Sequence, residues 1–248
     1  LKSIIVNNLY GVDIMEEAVE ICKLRLFLKL VAQVESQDKI EPLPDIDFNI
    51  RPGNTLVGYT KIADISAGQR NLYLQDQEKV VEDKAQQLDA AVKLFREQQT
   101  RLNGTVTVED KVALRKRFDD LSSELDQFLA AEYGVKKAGF KNWKASHKPF
   151  HWTIDFHRIM SDGGFDVVIG NPPYVELSKV RNEYQLRNYV TIPCGNLYCP
   201  VLERAVSLCP VRSWMGMIIP MSFSCTERMT EAREVIAHST SDVWISHY

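Results

Sequence analysis

Residues 165–174 read Phe-Asp-Val-Val-Ile-Gly-Asn-Pro-Pro-Tyr, and this stretch decides the predicted fold. Its Val-Val-Ile core, residues 167–169, is a short β-branched run of the kind found in parallel strands buried on both faces. Two consecutive prolines exclude both a strand ladder and a helix, so we expect the strand to end at Gly170 in a rigid turn. Open α/β sheets bind ligands beyond the carboxyl ends of their strands, which places the next four residues where a site is expected.

The four residues of this turn suit the handling of an amino group. The side-chain carbonyl of Asn171 and the backbone carbonyl of Pro172 can each accept a hydrogen bond from one NH2 group and leave its nitrogen lone pair free. Pro173 restricts the backbone, and Tyr174 offers a flat face to a planar substrate. The structural alternative is a loop in which Asn171 caps a turn and Tyr174 fills a crevice.

A second parallel strand is predicted at residues 9–14, where Leu-Tyr-Gly-Val-Asp-Ile precedes a helical pattern. Apolar residues recur at three- and four-residue spacing through residues 16–34, so we expect one face of this helix to pack on the sheet. Asp13 stands at the carboxyl end of the strand, which is the usual position of an acid that binds a ribose. The alternative is an acid that only favours the N-terminus of the helix.

A further strand is predicted at residues 48–51, followed by Pro-Gly-Asn-Thr-Leu at residues 52–56. Gly53 permits a tight turn there, and the side chain of Asn54 can hydrogen-bond an adenine amino group. A simple Asx turn explains Asn54 equally well, so both interpretations stay open.

The composition changes between residues 72 and 132, where Gly and Pro nearly vanish and charged residues and Leu dominate. Two heptad-like apolar patterns, broken at Asn103-Gly104, predict an antiparallel helical hairpin inserted into the α/β domain. Thr107 and Asp110 have the spacing of a capping box at the start of the second arm. The mixed charge favours a solvated hairpin that packs on itself, and contact with DNA or a protein partner is the alternative.

These patterns divide the chain into three parts. Residues 1–71 and 147–248 are predicted to be two parts of one α/β domain, and residues 72–146 to be the hairpin insertion with a basic linker. In this linker lysines alternate with Phe140 and Trp143. Such a pattern suits either a phosphate backbone or a solvated lysine-rich connection.

The composition is that of an ordinary globular protein. The 248 residues are 45% hydrophobic and 25% charged with a formal net charge of −3, so any DNA contact must come from local basic patches. We find no apolar run long enough to cross a membrane and no signal-peptide pattern, which predicts a cytoplasmic protein. The five cysteines form no C-x-x-C pair and the histidines no H-E-x-x-H pair, so no metal site is predicted.

Several motifs occur in an order that points to one family. They are Gly-Val-Asp-Ile at residues 11–14, Gly-Asn-Thr-Leu at 53–56, Gly-Asn-Pro-Pro-Tyr at 170–174, Asn-Leu-Tyr at 196–198 and Ile-Ile-Pro at 218–220. This order resembles the methylase part of large N6-adenine DNA methyltransferases of bacterial restriction–modification or phage-defence systems. In that group the methylase, a specificity domain and sometimes a nuclease share one chain. The resemblance covers nearly everything except the helical insert.

The resemblance implies a Rossmann-like methyltransferase sheet, S-adenosylmethionine as the methyl donor and double-stranded DNA as the partner, with a flipped-out adenine as the acceptor. It implies site-specific methylation of adenine N6 by positioning and electrostatics, without a covalent intermediate. The implied cofactor-binding residues are Asp13 at the ribose, Ile14 and Asn54 at the adenine, and Thr55 beside them. The implied catalytic residues are Asn171 and Pro172, which hold the target N6, with Pro173 and the base-stacking Tyr174.

One departure from the family pattern concerns the cofactor-binding glycine loop, an aromatic residue followed by G-x-G, which should precede the strand at residues 9–14. Nothing like it occurs, and Gly163-Gly164 precede a strand rather than follow one. Together with Leu1 in place of a start methionine, this predicts a fragment cut inside the catalytic domain. We expect the fragment alone to bind S-adenosylmethionine poorly and not to methylate.

Three other functions stay open. A protein glutamine N5-methyltransferase would use the same Asn-Pro-Pro-Tyr motif on a side-chain amide, although the hairpin and the Asn-Leu-Tyr helix argue against it. An RNA adenine or guanine methyltransferase is disfavoured for the same reason. A non-catalytic binding module, with the hairpin as a partner-docking arm, describes the fragment itself better than the parent protein.

Overall fold

The computed structural model of the chain describes residues 2–33, 45–67, 73–100 and 107–246. This described part is a mixed α/β structure, mostly helical with short parallel strands, in agreement with the predicted class. It divides into two compact units. The first unit comprises Leu1–Gly134 and Lys148–His157, and the second unit comprises Val135–His147 and Arg158–Tyr248.

Short strands alternate with helices of very different length through the described ranges. The strands are β1 (Gly11–Asp13), β2 (Ile50–Pro52), β3 (Val167–Gly170) and β4 (Trp214–Met217). The α-helices are α1 (Lys2–Asn8), α2 (Glu16–Val31), α3 (Ala63–Ala67), α4 (Tyr73–Thr100), α5 (Val108–Glu132), α6 (Phe140–His147), α7 (Trp152–Asp155), α8 (His157–Ser161), α9 (Leu177–Val180), α10 (Tyr198–Ser207), α11 (Ser222–Cys225) and α12 (Thr230–Ser239). Single 3₁₀ turns cover Lys137–Gly139, Ile192–Cys194 and Glu227–Met229.

The sheet of the first unit is the parallel pair β1–β2, which confirms the predicted pairing direction. Gly11 stands opposite Ile50 and Asp13 opposite Pro52, so the two strands end together. The pair is short because Pro52 cannot donate to a ladder and terminates the second strand. Helix α2 covers this sheet through Val19, which is buried, whereas the predicted apolar position at residue 34 lies outside the described residues.

The sheet of the second unit is the parallel pair β3–β4, in the register Val167 to Trp214 and Gly170 to Met217. Its inner face packs against a core formed by α10 and α12. The prediction that β3 is buried on both faces is wrong for the described chain, because Val167 is 58% and Ile169 79% exposed. Side chains alternate between the faces of a strand, and these two share the outer face with the exposed Trp214.

Helices α4 and α5 form the predicted hairpin, although its break at residues 103–104 lies outside the described residues. Lys84 of α4 pairs with Glu124 of α5 at 2.6 Å, and Phe95, later in α4, shares the partner Phe48 with Phe118, earlier in α5, so the arms run antiparallel. The predicted capping box is confirmed: Thr107 accepts a hydrogen bond from the backbone of Asp110, whose side chain accepts one from the backbone of Thr107.

The hairpin packs on the α/β part of the first unit as well as on itself, so it is not a free solvated arm. Phe48 before β2 meets Phe95 of α4 edge-on at 5.5 Å and stacks on Phe118 of α5 at 5.6 Å between ring centroids. The guanidinium of Arg51 lies 4.7 Å from the Phe118 ring centroid and pairs with the buried Asp155 at 3.0 Å. Through these contacts α4 and α5 pack against the β1–β2 sheet region and form part of the core of the first unit.

Buried hydrogen bonds reinforce the attachment of the hairpin. Asn49 is 1% exposed, and its side-chain nitrogen donates to the carbonyls of Val6 and Leu9 at 2.8 and 3.0 Å. Its side-chain oxygen accepts a hydrogen bond from Arg96 of α4 at 2.9 Å. A buried polar group costs little only when it is paired, so Asn49 joins α4 specifically to the chain leading into β1.

A charged cluster around Asp47 joins α2 to α5. Asp47 pairs with Lys23 at 2.6 Å, with Lys111 at 2.5 Å and with Arg115. Burial alone would raise the pKa of Asp47, but the hydrogen bonds from Lys111 and Lys23 outweigh it and lower the pKa to about 2. The carboxylate is therefore ionised at neutral pH and holds the three cations together.

The basic stretch expected to be a linker is partly helical. Helix α6 buries Trp143, whose ring stacks on that of His147 at 4.9 Å between centroids. Burial lowers the pKa of His147, and its Nε2 accepts a hydrogen bond from the backbone of Gln185 at 3.1 Å. Trp143 therefore contributes to packing and not to an exposed stacking surface. Nowhere in the described ranges is there a helix both long and apolar enough to cross a membrane.

Candidate functional site

The Asn-Pro-Pro-Tyr turn begins where β3 ends, as the two prolines require. The amide of Ile218, which directly follows β4, donates to the carbonyl of Gly170 at 3.0 Å and closes the ladder. Beyond this bond Pro172 is buried, whereas Asn171 and Tyr174 are exposed. The turn is thus anchored by one proline and presents the amide and the aromatic ring to solvent.

Tyr174 contacts the residues that directly follow β3 and β4. Its hydroxyl oxygen lies 3.0 Å from the side-chain oxygen position of Asn171 and 2.9 Å from the carbonyl oxygen of Ile218. Its ring meets that of Tyr198 edge-on, with centroids 6.4 Å apart. Tyr198 is 1% exposed, and burial raises the pKa of its hydroxyl. The Tyr174 ring therefore packs edge-on against a buried aromatic neighbour, while Tyr174 itself is 50% exposed.

The chain after the turn pairs with the segment that starts α10. The amide of Leu197 donates to the carbonyl of Val175 at 2.8 Å, and the amide of Leu177 donates to the carbonyl of Gly195 at 2.9 Å. These bonds bring the Asn-Leu-Tyr stretch beneath the turn, because residues 175–177 and 195–197 run side by side. The sequence resemblance linked the Asn-Pro-Pro-Tyr and Asn-Leu-Tyr motifs only by their order in the chain. In the structure, backbone hydrogen bonds connect the segments that carry them.

Asp13 stands at the carboxyl end of β1 with an exposed side chain. Its carboxylate accepts a hydrogen bond from the backbone of Met15 at 2.8 Å, which turns the chain into α2. Its carbonyl accepts one from Gly53 at 2.8 Å, so the residues after β2 lie directly beside it. Ile14 is half-buried, and its carbonyl accepts a hydrogen bond from Lys148 at 3.3 Å.

Asn54 is 3% exposed and makes the Asx turn that was one of its two interpretations. Its side-chain oxygen accepts a hydrogen bond from the backbone of Leu56 at 3.1 Å. Its side-chain nitrogen is buried and has no hydrogen-bond partner among the described residues. Leaving a buried amide donor without a hydrogen bond costs about 1–3 kcal/mol of stability. An acceptor atom of a ligand beside this nitrogen would remove that cost. Thr55 follows, and its carbonyl accepts a hydrogen bond from Trp152 at 3.2 Å.

The residues bracing this loop were missed from the sequence. Residues 148–150 run alongside it, because the amide of Asn54 donates to the carbonyl of Lys148 and the amide of Phe150 donates to the carbonyl of Val57, both at 2.8 Å. A side chain at Gly58 would place its Cβ 2.0 Å from the carbonyl oxygen of Phe150. Gly58 was a signal of this approach, since glycine is required where two backbones come this close.

The structure collects the predicted residues in two groups, each at the carboxyl end of a parallel strand pair. The first unit holds Asp13, Ile14, Asn54 and Thr55, and the second unit holds Asn171, Pro172, Pro173 and Tyr174. In the part of the chain that the structure describes, no group of three or more His, Cys, Asp or Glu side chains could hold a metal ion.

Comparison with known proteins supports a methyltransferase. The family model of the Eco57I restriction–modification methylases matches residues 7–248. A protein of Methanocaldococcus jannaschii named "Putative type II restriction enzyme and methyltransferase" is 29% identical over 278 residues, covering 93% of this chain. The chain spans 23% of that relative's length. No solved structure matches.

Proposed function

This chain belongs to the Eco57I restriction–modification methylase family, and from that premise we propose that its full-length protein methylates adenine N6 in DNA with S-adenosylmethionine as donor. The observation that carries the proposal is the Asn-Pro-Pro-Tyr turn at the end of β3, where Asn171 and Tyr174 are exposed above the buried Pro172. A rigid turn with an outward amide and an aromatic face suits a planar substrate that bears an NH2 group.

The residues at the ends of β1 and β2 fit an adenosine moiety. The exposed carboxylate of Asp13 can accept hydrogen bonds from the two hydroxyls of a ribose. The buried nitrogen of Asn54 lacks an acceptor, and a ring nitrogen of adenine is such an acceptor. The half-buried Ile14 and Thr55 would contact the adenosine on either side of these two residues. S-adenosylmethionine contains adenosine and, when bound, supplies an electrophilic methyl group on a sulfonium.

Asn171 and Pro172 perform the catalytic work that we assign to this chain. Their two carbonyl oxygens accept the two hydrogens of the target amine, which leaves the nitrogen lone pair directed away from them. The same two oxygens stabilise the positive charge that develops on the nitrogen as it is methylated, and one of the two hydrogens then leaves as a proton to water. Catalysis then rests on orientation and electrostatics, and no covalent bond to the protein is needed.

Tyr174 supplies the stacking face for the base. An adenine within duplex DNA does not expose N6 to such a site, so the base must leave the stack, at a cost of roughly a few kcal/mol. Stacking on an aromatic side chain returns about 1–3 kcal/mol per base. The exposure of Tyr174, at 50%, and its edge-on contact with Tyr198 support this role.

A methyl-transfer assay on the full-length protein tests the proposal. Tritiated S-adenosylmethionine is offered with unmethylated duplex DNA in one reaction and with a glutamine-containing release-factor protein in another. We expect label in DNA alone. Label in the protein substrate, with none in DNA, would replace the proposed function by glutamine methylation.

Two variants make the assay specific for the site. Asn171→Ala should abolish transfer while cofactor binding, measured by calorimetry, changes less than about twofold, because Asn171 is assigned to the acceptor and not to the donor. Asn182→Ala removes another exposed asparagine of the second unit and should keep wild-type activity. Full activity in Asn171→Ala would refute the role of the turn.

A further inference from the structure

The hydroxyl of Tyr174 stands between two hydrogen-bonding groups and can serve only one of them as a donor. It lies 3.0 Å from the side-chain oxygen position of Asn171 and 2.9 Å from the carbonyl oxygen of Ile218. A phenol carries one hydrogen, and a backbone carbonyl can only accept. One of the two short contacts must therefore have the tyrosine oxygen as its acceptor.

Only Asn171 can be that donor. The oxygen and nitrogen of a carboxamide exchange places when the amide rotates by half a turn, and which atom faces a neighbour is decided by the hydrogen-bond network. If the Asn171 oxygen faced Tyr174 and received the hydroxyl hydrogen, the Ile218 carbonyl would face a lone pair at 2.9 Å. If the Asn171 nitrogen faces Tyr174, both contacts become hydrogen bonds.

From this geometry we propose that Tyr174 is a positioning residue, whose hydroxyl orients the amide of Asn171 for the reaction. In this arrangement, the Asn171–Tyr174–Ile218 relay, the amide nitrogen of Asn171 donates to the hydroxyl of Tyr174, which donates to the carbonyl of Ile218. The oxygen of Asn171 is then turned away from Tyr174 and is available to the target amine. The inference rests on the proposed function, which assigns that oxygen to the amine.

The far end of the relay is well anchored. Ile218 follows β4 directly, and its amide donates to the carbonyl of Gly170 at 3.0 Å, so its carbonyl is tied to the strand pair that carries the turn. The edge-on contact with Tyr198 holds the Tyr174 ring independently of the hydroxyl. Removal of the hydroxyl alone therefore leaves the ring in place and frees only the amide of Asn171 to rotate.

A rotated amide would present its nitrogen to the target amine. Two NH2 groups facing each other repel, and the amine loses one of its acceptors. Tyr174→Phe keeps the stacking face, so we expect the KM for DNA to change less than about twofold while kcat falls about 5- to 10-fold, the loss of one orienting hydrogen bond. The opposite arrangement predicts the opposite sign, because a hydroxyl donating to the Asn171 oxygen competes with the amine, and its removal would raise kcat.

The experiment compares the full-length wild-type protein with Tyr174→Phe, Tyr174→Ala and Tyr189→Phe. Tyr189→Phe is the matched control, since it removes a hydroxyl of the same unit whose oxygen accepts a hydrogen bond from Arg204 at 2.9 Å. Circular dichroism melts confirm that each variant folds. We expect loss of kcat in Tyr174→Phe, a larger loss with raised KM in Tyr174→Ala, and no change in Tyr189→Phe.

A second readout follows the amide itself. The side-chain NH2 resonances of Asn171, assigned by their disappearance in Asn171→Ala, should shift in Tyr174→Phe because one amide hydrogen loses its acceptor. Unchanged resonances together with unchanged or raised kcat would overturn the relay. If Asn171→Ala is inactive while Tyr174→Phe is fully active, the relay fails and the proposed function stands; if Asn171→Ala is active, the proposed function fails.

Discussion

Removing the Phe118 ring should weaken the whole first unit, because this side chain joins the hairpin to β2. Phe118 is 3% exposed, stacks on Phe48 at 5.6 Å and receives the Arg51 guanidinium at 4.7 Å. Truncation of a buried Phe to Ala costs about 3–5 kcal/mol, and the ring-specific contacts place Phe118→Ala in the upper half of that range. Phe118→Leu keeps most of the volume and should cost less than about 1.5 kcal/mol.

Amide hydrogen exchange read by mass spectrometry is the suitable assay, because it reports each unit separately. A loss of about 4 kcal/mol corresponds to about a thousandfold faster exchange through global opening. We expect this acceleration in peptides of both α5 and β2, with peptides from β3 as an internal reference. Val112→Ala on the same helix removes a side chain that is 60% exposed and should change little. Faster exchange confined to α4 and α5, with β2 unaffected, would show that the hairpin is a separable arm.

Three further predictions concern stability and reactivity. Folding lowers the pKa of Asp47 from 3.8 to about 2, so its ionised form stabilises the fold above about pH 4 and this contribution is lost as the pH falls through about 2. Asp47→Asn should therefore cost about 1 kcal/mol at neutral pH, after discounting for partial exposure, and nothing near about pH 2; a pH-independent cost would contradict this. Burial raises the pKa of Cys199 to about 12, whereas Cys225 is exposed. Brief iodoacetamide treatment should therefore label Cys225 and spare Cys199. Equal labelling of the two cysteines in peptide maps would contradict this prediction. Gly58→Ala should lower the melting temperature far more than Gly134→Ala. Both glycines have positive φ, but only a Cβ at residue 58 would lie 2.0 Å from a carbonyl oxygen. Equal shifts in melting temperature would refute this explanation.

Local signals in the sequence were enough to predict the strands at residues 9–14, 48–51 and 165–170 and the start of α5, whereas α2 ends at Val31 and not near the predicted residue 34. The double proline and the Pro-Gly pair terminate β3 and β2 for covalent reasons, and the parallel pairing then follows from the helical patterns between strands. The capping box at Thr107 was readable because it depends on residues three apart. The candidate residues Asp13, Asn54 and Asn171 were found through their places at strand ends.

Long-range packing could not be read in the same way. Phe48 contacts Phe95 and Phe118, which are distant from it in the chain. The hydrophobic periodicity of the sequence does not predict contacts of this kind. The β-branched run at residues 167–169 predicts a strand buried on both faces, but composition does not reveal what covers a sheet, and Val167 and Ile169 are exposed. Trp143 looked available for nucleic acid because interleaved lysines mark a basic surface but do not say which way an aromatic side chain turns.

The two interpretations of Asn54 show a different limit. The sequence left an Asx turn and a ligand contact as alternatives, and the turn is present. The same side chain keeps a buried nitrogen without a partner among the described residues. The predicted contact with an adenine amino group would use the oxygen that already serves the turn, whereas the proposed contact with a ring nitrogen would use this nitrogen. Residue identity alone does not say which atom of a side chain meets which partner.

The chemical position of the transferred methyl group tests the central claim most directly. The full-length protein would be incubated with duplex DNA and S-adenosylmethionine carrying a deuterated methyl group, and the DNA digested to nucleosides for mass spectrometry. We predict heavy N6-methyladenine with the wild-type protein and none with Asn171→Ala. Heavy methyl on carbon 5 of cytosine, or on no nucleoside at all, would contradict a turn whose two oxygens hold an exocyclic amine.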